Sequence, residues 1–283
     1  MARLPLSLSK AVDAWREASA KTAESGGVTI AGDPDLVAAA QARFSSGGTV
    51  PSVWVRPLAD LASLASVPGE ILLVFVRPED EAAALAALGQ AAPKGGAIVA
   101  VDEGLAATDK VSRPLTRCSR LSFSATEPGW RRLYGVCIEI AGDKASALGR
   151  RYPALRPAGV NRVIYRTAAQ NALIGVAFFV PGADMPPMTA NQVKMVLAIG
   201  SIYGAEIDRE RAIELAGIVA AGFGLRALAR SLVRSLPGIG LVVKAASGYA
   251  ATVAMGMAAA RYFESGAPAS TSRVLALAGS LRR

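Results

Sequence analysis

Gly32, Asp33, Pro34 and Asp35 follow the first β-branched run of the chain. An alternating α/β fold places its phosphate loop, or a metal-binding acidic pair, at this point. A phosphate loop needs glycines that expose backbone N–H groups, a lysine for the phosphates and a Ser or Thr for magnesium. Residues 32–39 have neither the lysine nor the hydroxyl and end in Val37, Ala38 and Ala39. Two aspartates there would repel a triphosphate. As a metal-binding pair, Asp33 and Asp35 lack an aspartate at the end of the third run, where Arg77 stands, and a lysine after the fifth. Asp33 therefore reads as a helix cap, with Pro34 at the first helical position. The 283 residues include no histidine, which excludes a Ser-His-Asp triad, a Cys-His dyad and any His-containing metal site. Cys118 and Cys137 show no metal-ligand spacing and form no disulfide framework, as suits a reducing cytoplasm. No catalytic residue and no metal ligand is expected.

The elements that would position these residues are legible as an alternation. Residues 1–25 predict a short amphipathic helix with Leu8, Val12 and Trp15 at helical spacing. From residue 26, short β-branched runs at 27–33, 50–57, 70–78, 96–103 and 120–126 alternate with Ala- and Leu-rich stretches. Strands separated by helices imply right-handed crossovers and a buried, mostly parallel sheet. The expected fold class is thus α/β over residues 26–150, a doubly wound five-stranded sheet, G-domain-like or flavodoxin-like. An all-α apolar helical domain over 157–265 and a tail over 266–283 complete the expected domains. In the helical part Thr189 is expected to cap a helix whose apolar positions Val193, Val196, Leu197, Gly200 and Ile202 face one way.

Charge divides the chain at the same place. Residues 1–150 hold 16 basic and 16 acidic side chains, whereas residues 151–283 hold 15 and 6, so the net charge of +9 belongs to the helical part. A basic apolar module points to an anionic membrane surface. Nucleic acid is the weaker reading, because aromatics for base stacking make up only 6% of the chain. The uncharged stretches 167–183 and 245–260 have 17 and 16 residues, at or below the about 20 needed for a span. Extending the second back to Pro237 gives 24 residues with one charge, Lys244. Arg226, Arg230 and Arg234, spaced four apart, form a basic stripe that would meet anionic headgroups along with Lys244.

The runs at 70–88, 95–104 and 120–141 resemble the second half of an Era-like small GTPase domain. In that family the fourth run ends in Asn-Lys-x-Asp and the fifth in Ser-Ala. Here Val99, Ala100, Val101 and Asp102, then Ser124 and Ala125, stand at those places, so only Asp102 and the Ser124-Ala125 pair match. The Asp-x-x-Gly magnesium motif is absent, since Asp60 is followed by Leu61, Ala62 and Ser63. The resemblance implies a degenerate G domain in which Asp102, Ser124 and Ala125 would be what remains of a guanine pocket, GTP being the only cofactor it suggests. Residues 181–204 and 236–266 resemble the YcjF-like helical domain of unknown function, a bacterial module often fused behind Era-like domains and regarded as membrane-associated. The marks are the Pro-rich entry, Thr189 with Gln192, the Ile202-Tyr203-Gly204 end, the Pro237-Gly238 turn, Thr252 with Gly256 and the Tyr262-Phe263 finish. No catalytic residues come with that family. The expectation is a non-catalytic protein at the cytoplasmic side of the cytoplasmic membrane. Its alternatives are a GTP-binding switch with atypical phosphate binding and a soluble scaffold that forms homo-oligomers through its helical faces.

Overall fold

The computed structural model describes residues 27–45, 53–56, 70–90, 96–108, 110–115, 117–177, 185–205 and 240–266. The predicted helix at 1–25, the tail beyond 266 and Arg226, Arg230 and Arg234 lie outside the described residues, as does the side chain of Lys244. The chain divides after Gly159 into an α/β unit and a helical unit.

The α/β unit is built from β1 (Val28–Gly32), α1 (Pro34–Ser45), β2 (Val53–Arg56), β3 (Ile71–Val76), α2 (Glu81–Gln90), β4 (Gly96–Asp102), β5 (Val111–Leu115), β6 (Cys118–Phe123), α3 (Glu127–Ala141) and α4 (Ala145–Arg151). The sheet order is β2-β1-β3-β4-β6-β5. The five strands expected from sequence pair in parallel, and β5 joins β6 antiparallel. This sixth strand was not expected, because Pro114 interrupts a short, charged stretch that carries little β pattern. Its place at the sheet edge is what makes a proline tolerable there.

Side chains alternate between two cores, as a strand period of two requires. Val28, Ile30, Ile71, Leu73, Phe75, Ile98, Leu121 and Phe123 pack with α1, α3 and α4. Leu72, Val74, Val76, Ala97, Val99, Val101 and Cys118 pack with Ala84 and Leu88 of α2. Burial on both faces explains why β3, ILLVFV, is apolar without interruption. Trp130 sits at the centre of the first core, edge-on to Phe123 at 5.0 Å and tilted on Phe75 at 5.6 Å. The first N–H of β1, on Val28, donates 2.9 Å to the Tyr152 hydroxyl, so a residue 124 positions away closes the end of a central strand. Both thiols lie in these cores. Burial pushes Cys118 up to about 11 and raises Cys137 further. Because the thiolate is the reactive form, a thiol reagent at pH 8 is expected to leave the native protein unlabelled and to modify both cysteines once it is unfolded.

The helical unit, which begins at Val160, contains most of α5 (Arg156–Ala177), together with α6 (Met185–Ile202) and α7 (Gly240–Glu264). Its core joins Val160 and Ile164 to Val193, Val196, Leu197, Ile199 and Ile202 and to Met255 and Ala259. The expected apolar face of α6 is therefore the buried one. The expected cap at Thr189 is a misreading, since α6 begins four residues earlier and Thr189 lies within it. Pro186 and Pro187 occupy the first turn, where a missing N–H costs the helix nothing. Small residues let α7 approach α5. A Cβ on Gly256 would lie 2.6 Å from Ile164 Cγ1. Among the described residues no helix is long and apolar enough to cross a membrane.

Candidate functional site

Counting outward from β1, the strand order reverses between β1 and β3. Open α/β sheets bind ligands outside the carboxyl ends of the strands at such a point. Asp33 follows β1 there, and Arg77 follows β3.

Gly32 turns the chain from β1 toward α1 with φ +122, and the N–H of Asp33 donates 2.8 Å to the Phe75 carbonyl. This fixes the Asp33 carboxylate over the start of α1. Its Oδ1 accepts from the N–H groups of Asp35, at 3.1 Å, and Leu36, at 3.4 Å. Its Oδ2 accepts from Arg77 Nε at 2.8 Å. The free N–H groups and positive dipole end of a helix are a ready anion site. Here the protein's own carboxylate takes the anion's place, and Arg77 neutralises it. Partial burial would raise the pKa of Asp33, but the hydrogen bonds from Arg77, Leu36 and Asp35 outweigh that and hold the carboxyl below its ordinary 3.8. Asp33 therefore caps the helix, as its sequence context predicts.

Two of the three residues matched to a guanine pocket, Asp102 and Ser124, are also engaged locally. Asp102 ends β4, and its Oδ1 accepts from the N–H of Gly104 at 3.2 Å, closing the turn after the strand. Ser124 and Ala125 follow β6, whose Phe123 pairs with Asp102, so Asp102 and Ser124 end neighbouring strands. The Ser124 hydroxyl is 2.9 Å from that of Thr126, which caps α3. Gly129 keeps this turn tight, because a Cβ there would lie 2.1 Å from the Ser124 carbonyl oxygen. Ala125 is exposed.

A second polar cluster lies on the α2 side of the sheet and was not anticipated. Arg120, in the middle of β6, bonds Glu81 through Nε at 2.7 Å and Nη2 at 3.0 Å, and Glu103 through Nη2 at 2.7 Å. Ser122 Oγ donates to Glu103 at 2.5 Å and accepts from the N–H of Thr108 at 2.8 Å. The signal available in the sequence was the arginine inside RLSFS, since a charge in a strand covered on both faces requires partners. Every member has a partner, so the cluster joins α2, β4 and β6 rather than offering free groups to a substrate. Hydrogen bonds from Ser122 and then Arg120 hold Glu103 below its ordinary 4.5. A carboxyl lowered by folding stabilises the protein above its unfolded pKa and loses that contribution as pH falls through the folded value. Resistance to urea is thus expected to decline below about pH 4.5, and to decline less steeply in Glu103→Gln.

Taken together, Asp33, Asp35, Glu79, Asp80, Asp102 and Glu103 line the carboxyl ends of the strands against Arg77, Arg120 and Lys110. Among the described residues no group of three or more Asp, Glu or Cys side chains is placed to hold a metal ion. What the arrangement does is cap helices and pair opposite charges across neighbouring elements.

No curated protein and no solved structure matches the chain. Residues 146–273, a little under half of the chain, match the family model of a domain of unknown function, DUF697, and this span takes in α5, α6 and α7.

Proposed function

We propose that this chain is a non-catalytic, membrane-associated protein whose α/β unit is an interaction or regulatory module. Its basic helical unit holds it at the cytoplasmic side of an anionic membrane. The observation that carries the first clause is the Asp33 carboxylate at the start of α1, locked to Arg77 at 2.8 Å. A nucleotide would have to displace a hydrogen-bonded carboxylate and then place its phosphates among further carboxylates, a double electrostatic penalty. The order of the parallel strands, 2-1-3-4-5 when they are numbered alone, is that of flavodoxin-like doubly wound sheets. It supports a nucleotide-fold scaffold put to other use. The Era-like marks at Asp102, Ser124 and Ala125 and the YcjF-like marks across α6 and α7 support the same pairing of a degenerate G-domain-like half with a membrane-associated one.

The second clause rests on charge and exposed apolar side chains. The described side chains of the helical unit include Arg162, Arg166, Lys194 and Arg261 against Glu264 alone. It exposes Tyr165, Leu173, Tyr249 and Met257. Basic residues interspersed with exposed aromatic and aliphatic ones suit an anionic lipid surface. Fractionation of cells with successive salt and carbonate washes tests this clause. Protein in the membrane fraction is the expected result. Protein in the soluble fraction without any wash contradicts it and favours a helical scaffold that self-associates. The rival for the first clause, a GTP switch, draws on one observation, that Asp102 and Ser124 end neighbouring strands. In that rival, Asp102→Asn alters guanine preference.

A further inference from the structure

The helical unit buries a cluster of amide and hydroxyl side chains contributed by all three of its described helices. Asn171 of α5, Gln192 of α6 and Thr252 of α7 are 0%, 1% and 0% exposed. Asn171 Nδ2 donates to Thr252 Oγ1 at 3.0 Å, and Gln192 Nε2 donates to the same oxygen at 3.3 Å. The Thr252 hydroxyl donates to the Gly248 carbonyl at 2.7 Å. Asn191 Nδ2 donates to Asn171 Oδ1 at 3.1 Å.

One atom is left over. Gln192 Oε1 is enclosed, and no donor among the described residues reaches it. Turning the amide over does not help. A hydroxyl has one proton and two lone pairs, and those of Thr252 are committed to Gly248, Asn171 and Gln192 Nε2. A turned amide would bring Oε1 against an oxygen with no proton to give, and would leave the NH2 group without an acceptor instead. The cluster therefore asks for one more hydrogen-bond donor.

The surroundings limit what that donor can be. A Cβ on Gly248 would meet Asn171 O and Met188 Cε, both at 3.4 Å, so the helices are in contact beside the cluster. A hard divalent cation takes about six or more oxygen ligands, and here a single oxygen is uncommitted. A water molecule has the required valence. Buried waters typically satisfy such polar groups with two to four hydrogen bonds.

We propose that Gln192 Oε1, with the Asn171 amide that shares Thr252 Oγ1 with it, forms a buried site for a single water molecule that completes the polar connection among α5, α6 and α7. The occupied cluster fixes the register of the three helices, because sliding any one of them by a turn would strand amides in an apolar core. A bound water also makes Gln192 a stabilising residue rather than a tolerated defect.

Two measurements on the full chain test this. In a crystal structure at a resolution that shows ordered solvent, a water within hydrogen-bond distance of Gln192 Oε1 is expected. A dry contact, a protein donor on that atom or a multiply coordinated ion overturns the proposal. Gln192→Met keeps the side-chain length and removes the amide. With a water in place, the variant loses both the Thr252 bond and the water, and hydrogen-exchange protection of α6 and α7 amides is expected to fall by about tenfold or more. Without a water, removing an orphaned acceptor offsets the lost bond, and protection unchanged or increased overturns the proposal.

Discussion

Gly32→Ala is expected to prevent the α/β unit from folding. Gly32 has φ +122, a conformation that side-chain-bearing residues rarely adopt, and a Cβ at this position would lie 1.8 Å from the Phe75 carbonyl oxygen. The obstacle is backbone of the central strand β3, and the same carbonyl accepts the N–H of Asp33. It cannot step aside without opening the β1–β3 ladder and pulling Asp33 from the start of α1. The penalty should exceed about 4 kcal/mol, in the range reserved for named backbone and core failures. A domain of this size is stable by about 5–15 kcal/mol in total. Far-UV circular dichroism and urea unfolding are the readouts. Gly104→Ala is the control, since Gly104 has φ +56 and nothing within 4 Å of an added Cβ. It should cost only about 1–2 kcal/mol. A well-folded Gly32→Ala protein with wild-type stability contradicts the geometry at the switch between β1 and β3.

Trp130→Ala is expected to have the second largest effect, about 3–5 kcal/mol. Trp130 is 1% exposed and contacts Phe75 and Phe123 of two different strands. The Arg43 guanidinium lies 4.9 Å from its ring centroid. Truncation therefore opens a cavity between α3 and the sheet and removes the surface on which Arg43 rests, while Arg43 keeps its bond to Glu127 at 2.5 Å. Urea unfolding followed by circular dichroism gives the loss directly. Trp130→Phe retains the edge-on ring contacts and most of the volume, so it should recover more than half of it. Equal losses in the two variants would mean that cavity volume is not what Trp130 contributes.

Much of the α/β unit could be read from residue pattern alone. β1, β2, β3 and β4 fall inside four of the five β-branched runs and β6 overlaps the fifth; β3 and β4 show the reason, since a strand buried on both faces is apolar along its length. β5 escaped that reading because an edge strand with little burial carries no such pattern, and Pro114 argued against a strand at all. The cap formed by Asp33 was legible, since Asp-Pro before an apolar run states the local geometry. Arg77 as its partner was not, because the pairing depends on which strands are neighbours, and strand order is not written in the local sequence. The Glu81–Arg120–Glu103 cluster was missed for the same reason: its members lie up to 39 positions apart and meet only across α2, β4 and β6. In the helical unit, helical spacing located the buried face of α6. Thr189 misled because Pro186 and Pro187, just before it, lie in the first turn of the helix that contains it.

The central claim is that the anion position at the start of α1 is filled by the protein itself. Calorimetric titration of the full chain with GTP and magnesium tests it most directly. No saturable binding is expected at millimolar nucleotide, because Asp33 holds the helix N–H groups and Arg77 together. Binding with a micromolar dissociation constant would contradict the claim and establish the nucleotide switch in its place.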